Sequence, residues 1–159
     1  EIMPSLVGSE MCIRDRYTIG FTQKNARTFF NLLRDNNVKT VVDIRLNNTS
    51  QLAAFAKGED LKFFLTEFCQ IEYVHDITFA PTETLLKDYK NKKISWFEYE
   101  KEFSRIMEGR NIKNYIKKNY SNKDSICLLC SEALPNQCHR RLVAEIFGEV
   151  FEDVQIIHL

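Results

Sequence analysis

The sequence predicts an α/β fold: an open, mostly parallel sheet of about five strands with helices on both faces, three layers of α, β and α. Three observations lead there. Short β-branched or apolar runs alternate with longer segments whose apolar residues recur at helical spacing, from Tyr17 to Leu159. Two of the runs, Val38 to Ile44 (VKTVVDI) and Ile126 to Leu129 (ICLL), are continuously apolar at their centres, as strands covered on both faces are. The 159 residues, 44% hydrophobic and 28% charged, contain no repeat, low-complexity tract or interdomain linker, so one domain with a real core accommodates them.

Residues 1–16, EIMPSLVGSEMCIRDR, lack helical or strand periodicity and read like translated sequencing-adapter sequence. We expect a non-native leader there and set it aside together with Cys12, leaving 17–159 as a single domain. Tyr17 to Phe21 is a first strand that turns at Gly20. Thr22 is placed to cap a helix running to about Asn36, with Phe29, Phe30, Leu32 and Leu33 on its inner face. Val38 to Ile44 is the second strand, and the polar, small residues from Arg45 to Lys57 form a loop beside the strand ends. Leu61, Phe64, Leu65 and Phe68 define a helix, and Ile71 to His75 a third strand.

Between Thr82 and Tyr120 there is only helix, at roughly 83–91, 96–108 and 111–119. Ser95 and Glu98 suit a capping box, and Trp96, Tyr99, Phe103, Ile106 and Met107 make the apolar stripe that follows. Ile126 to Leu129 is the fourth strand. Pro135 suits the first turn of the next helix, striped by Cys138, Leu142, Val143, Ile146 and Phe147, and Val154 to Ile157 is the last strand.

Lys plus Arg (22) balance Asp plus Glu (22), so overall charge selects neither a nucleic acid nor an anionic membrane surface. No apolar run approaches the roughly 20 residues of a membrane span. Five cysteines do not suit a secreted disulfide framework, and a cytoplasmic protein is expected. Neither a Walker-type nor a G-x-G-x-x-G loop occurs, which excludes the commonest nucleotide-binding loops.

In parallel sheets ligands bind outside the carboxyl ends of the strands. That rim gathers Gly20 and Thr22, Asp43 and Arg45, His75 and Asp76, Cys130 to Glu132, and the helix start with Cys138, His139 and Arg140. Cys130, closing a strand near cations, is either a nucleophile or a small buried hydrophobe. Cys138 shares a stripe with Leu142, which favours burial, but a first-turn position favours a thiolate. Both at the rim would make a nucleophile and resolving pair. Cys127 and Cys69 read as core.

His139 and Arg140 at a helix N-terminus suit a phosphate or carboxylate; alternatively Arg140 pairs with Asp43 or Glu132 in a structural network. Arg141 faces solvent. Asp43 and Arg45, two apart, point to the same side of their strand. His75 and Asp76 offer a general base or a plain hydrogen bond. A zinc site from Cys130, Cys138, His139 and His75 is a further reading, but C-x7-C-H is no familiar zinc spacing. We expect no metal and no cofactor. The lysine-rich stretches 87–93 and 113–118, with interleaved tyrosine, either touch phosphates or form solvated helix faces.

Three pieces, YTIGFT, VVDIR and LLCSEALPNQCHRRLVAE, together resemble domain-of-unknown-function family 488 (DUF 488) over about Tyr17 to Leu159. The resemblance implies an α/β fold with a rim of Asp43, Arg45, Cys130, Glu132, Cys138, His139 and Arg140, and no established reaction. Phe21 stands where many relatives carry His. VVDIR and ICLLC also resemble, more faintly, rhodaneses, whose loop after the cysteine wraps an anion with backbone N–H groups. Here the loop Ser131 to Gln137 contains Pro135 and neither Gly nor Arg.

Two functions follow as expectations. The first is a thiol-dependent enzyme with Cys130, Cys138 and His139 as catalytic residues. Gly20, Thr22, Asp43, Arg45, Glu132 and Arg140 would bind its small anionic substrate, phosphate-bearing or nucleotide-like. The alternative is a non-catalytic module that binds a nucleotide or nucleic acid through the same rim.

Overall fold

A computed structural model describes residues 14–159. Its five strands are β1 (Arg14–Gly20), β2 (Thr40–Asp43), β3 (Glu72–His75), β4 (Ile126–Cys130) and β5 (Val154–His158). They form one all-parallel sheet in the order β3-β2-β4-β1-β5. The expected three-layer α/β/α architecture is present. Helices α1 (Ala26–Asp35) and α2 (Gly58–Cys69) cover one face; α3 (Glu83–Lys90), α4 (Trp96–Gly109), α5 (Ile112–Tyr120) and α6 (His139–Val150) cover the other.

Side-chain alternation along β4 divides the core. Ile126, Leu128 and Cys130 join Phe103, Ile116, Val143 and Phe147 beneath α4, α5 and α6, whereas Cys127 and Leu129 join Phe29, Leu33, Leu61 and Leu65 beneath α1 and α2. All five residues of β4 are buried, which explains why ICLLC shows no polar alternation. The capping box is formed: Ser95 Oγ accepts from Glu98 N, and the Glu98 carboxylate accepts from Ser95 N.

Local details differ from expectation, and the segment expected as a loop after Arg45 contains a 3-10 helix, Gln51–Ala56. The cap of α1 is Asn25, whose side chain accepts from Thr28 N at 2.8 Å, because Thr22 is drawn away to the β4 loop. Pro135 lies before the last helix, not in it: Cys138 N donates to Pro135 O, and α6 begins at His139. The first strand begins at Arg14, not Tyr17, with Arg14, Asp15 and Arg16 in register with Val154, Gln155 and Ile156. A ladder is made of backbone groups, so polar side chains do not prevent it. Cys12 and the rest of 1–13 lie outside the described residues. Arg16 is buried against the rings of Phe147 and Phe151, and burial foremost lowers its pKa to about 10.

Candidate functional site

Strands β1, β2 and β4 all end on one edge, and there a cavity of about 450 Å³ opens. Its floor holds Cys130, the last residue of β4, and Cys138 and His139, the cap and first residue of α6. The two sulfurs and a ring nitrogen of His139 lie within 4.8 Å of one another, and all three residues are buried. The sequence places them eight and nine residues apart; the strand–loop–helix turn superimposes them.

The loop leaving Cys130 is held by its carbonyls. Ser131 O accepts from Thr22 N at 3.1 Å and from Thr22 Oγ1 at 2.5 Å. Glu132 O accepts from Arg140 Nη1, and Ala133 O from Arg140 Nη2 at 3.2 Å. With those oxygens drawn outward, the N–H groups of Ser131 and Glu132 are left to favour negative charge on Cys130. Gly20, in register with Cys130, makes this close approach possible: a Cβ there would fall on the Glu132 carbonyl oxygen.

His139 has a defined tautomer. Its Nε2 lies 2.9 Å from Ile44 O, a group that only accepts, so Nε2 carries a proton. In the neutral ring Nδ1 is then unprotonated, and it lies 3.5 Å from Cys130 Sγ. It is positioned to take the thiol proton.

The two thiols are driven apart. The hydrogen bond from Cys138 is the chief influence holding Cys130 below the ordinary thiol value; burial opposes it, and the Ser131 and Glu132 N–H groups and the Arg140 charge assist. The same bond, with burial, pushes Cys138 up. The pairing thus favours the charged form at Cys130 and the protonated form at Cys138.

Arg45 lines the cavity. Asp43 holds it through Nε at 2.8 Å and Nη2 at 2.6 Å, and Nη2 also donates to Ala56 O. Burial works against its charge, but Asp43 outweighs burial and raises its pKa. Its guanidinium carbon lies 5.3 Å from the Phe21 ring centre. Nη1 makes no hydrogen bond among the described residues, so one charged donor remains for a ligand.

The expected rim residues thus divide. Cys130, Cys138, His139, Arg45 and Glu132 line the cavity. Gly20, Thr22, Asp43 and Arg140 are not among the lining residues but pack against or hold groups that are. Arg140 is fully buried and pairs with neither Asp43 nor the Glu132 carboxylate; its donors go to Thr18 Oγ1 and two loop carbonyls. His75 bonds the backbone oxygen of Arg45, and Asp76 accepts from the Tyr115 and Tyr120 hydroxyls, so neither is a free base. Arg141 pairs with Glu145 and Glu100 near the surface.

The opposite wall was not anticipated as part of a site. Trp96 and Tyr99 stack at 4.8 Å, Tyr89 packs on both, and its hydroxyl donates to Gln137 Oε1. Lys90 and Lys92 stand at the mouth. The signal was present as Tyr89, Trp96 and Tyr99 recurring across a helix junction, but the pattern of a core stripe is the same. Cys130, Cys138 and His139 would hold a thiophilic cation through two sulfurs and a ring nitrogen.

No helix among the described residues is long and apolar enough to cross a membrane. No curated protein and no solved structure matches the chain. A family model described as "Domain of unknown function DUF488" matches residues 25–147.

Proposed function

We propose a reaction class for this chain, which belongs to the DUF488 family: a thiol-dependent enzyme with Cys130 as nucleophile, acting on a small anionic substrate at the carboxyl ends of the strands. One observation carries the reading. The Cys130 sulfur meets a thiol donor, two backbone N–H groups and the Nδ1 of His139 at the floor of an open cavity. A cysteine that merely fills a core needs none of these.

In the proposed cycle His139 Nδ1 takes the Cys130 proton, and the thiolate bonds to the substrate's electrophilic atom as the bond to the leaving group breaks. The proton held on His139 returns to that leaving group. Arg45 Nη1, Lys90 and Lys92 attract the anion, and the Tyr89–Trp96–Tyr99 wall covers its apolar or aromatic part. Asp43 positions Arg45, and Thr22, Gly20 and Arg140 position the loop after Cys130, without touching substrate.

Iodoacetamide labelling across pH, read by peptide mass spectrometry, tests this. Cys130 should label well below pH 8 while Cys127, Cys138 and Cys69 stay silent. Labelling of Cys130 only above about pH 8.5, the range of an ordinary thiol, overturns the nucleophile.

A further inference from the structure

Resting on that reading, we infer that the substrate's electrophilic atom is sulfur: Cys130 opens a small, carboxylate-bearing disulfide, and Cys138 resolves the resulting mixed disulfide. The geometry is specific to these two of the four free cysteines among the described residues. Cys127 faces the opposite layer with Leu129, and Cys69 closes α2 on that same side. Only Cys138 shares the cavity floor with Cys130.

Cys138 has the freedom the step needs. It precedes α6 in extended backbone (φ −140, ψ 136), and its side chain makes no capping hydrogen bond. The preceding segment from Ser131 to Gln137 is partly or fully exposed and belongs to no helix or strand. The sulfurs are at most 4.8 Å apart, so reaching a bond of about 2.05 Å asks less than about 3 Å of relative movement. Rotation of the Cys138 side chain with a small shift of that loop supplies it.

A second thiol also discriminates among electrophiles. Were Cys130 to carry an acyl or phosphoryl group, attack by Cys138 would only pass the group from one sulfur to the other. Bonded to sulfur, the same attack ends the reaction. The steps balance. Cys130 thiolate attacks one sulfur of the disulfide RSSR, forming Cys130–S–S–R and expelling RS⁻. That RS⁻ takes the proton held on His139 and leaves as RSH; the Cys138 thiol then attacks Cys130 Sγ, forming the protein disulfide as the second RS⁻ is expelled and takes the Cys138 proton through His139. Two electrons pass from the protein dithiol to RSSR. Arg45 Nη1, Lys90 and Lys92 suit the carboxylates of such a substrate.

The experiment uses the full chain, reduced, then exposed to oxidised glutathione as probe, with intact-mass and peptide mass spectrometry as readout. Wild type should lose a pair of hydrogen atoms, retain no glutathione and yield a Cys130–Cys138 linked peptide that dithiothreitol reverses. Cys138→Ser, near-isosteric, should stop with glutathione on Cys130. Wild type that stops at that same adduct, or links Cys130 to Cys127 or Cys69, overturns the resolving role while leaving Cys130 a nucleophile. Cys130 inert toward both glutathione disulfide and iodoacetamide overturns this inference and the proposed function together.

Discussion

Cys127 and Cys130 stand three residues apart on one strand, and they differ in everything except burial. Cys127 faces the layer of α1 and α2, among Phe29, Leu33 and Leu65, where burial pushes its thiol up and no hydrogen bond favours the charged form. Cys130 faces the layer of α6 at the strand's end, where a thiol, two N–H groups and an imidazole meet it. Burial alone therefore raises a thiol's pKa. Burial with directed donors lowers it instead, because donors fixed by the fold replace the water that was lost.

The contrast can be broken from the inert side first. Phe29 is fully buried and touches both Phe30 and Phe55, so Phe29→Ala should cost about 3–5 kcal/mol in urea unfolding. The folded fraction should still label Cys130 with the unchanged pH profile. A shift in that profile would mean the two layers are coupled through the sheet. From the other side, Gly20→Ala places a methyl group on the Glu132 carbonyl. A loss of about 1–3 kcal/mol is expected, and Cys130 labelling should move up toward the ordinary thiol range as the loop lifts. Wild-type labelling in this variant would show that the loop does not set the thiolate.

The smallest effect is the sharpest, since the two thiols should tilt stability in opposite directions with pH. Cys130 has a lowered pKa, so between that value and the ordinary 9.0 the unfolded chain holds a proton the folded one has lost. Its contribution rises with pH through that window, is complete above 9.0, and is lost as pH falls through the folded value. Cys127, raised, keeps its proton when folded while the unfolded thiol ionises above 9.0, so its contribution declines there. Each slope is at most about 1.4 kcal/mol per pH unit. Denaturation midpoints against pH should lose the rising limb in Cys130→Ser and part of the alkaline decline in Cys127→Ala; Cys138, Cys69 and the buried tyrosines, all raised, keep the remainder. Parallel changes in the two variants would erase the distinction.

Much of this frame was legible in the residues. VVDI and ICLL announce buried parallel strands, and Ser95 with Glu98 announces a helix start, because each depends on neighbours in sequence. Cys130, Cys138, His139 and Arg45, which the rim rule gathers, line one cavity. What escaped depends on partners far along the chain. Thr22 has the chemistry of a cap, yet Ser131 O claims it. Arg140 looks like an anion binder at a helix start, but the fold buries it under the loop, where carbonyls invisible in the sequence engage it. The backbone oxygen of Ile44 fixes the His139 tautomer, and no side-chain pattern encodes it.

The strand order has a consequence in time. Although β1 and β2 follow one another in the chain, β4 lies between them, and Gly20 waits for Cys130 as its register partner. The middle of the sheet therefore cannot close until the fourth strand has been made and threaded into its slot, a long-range step whose loop-closure entropy makes it slow. Until then Cys130 is an ordinary, water-exposed thiol. Strands β1 to β3 and helices α1 to α5 thus leave the ribosome before Cys130 does, and the surroundings of its sulfur form only once β4 has taken its place in the sheet.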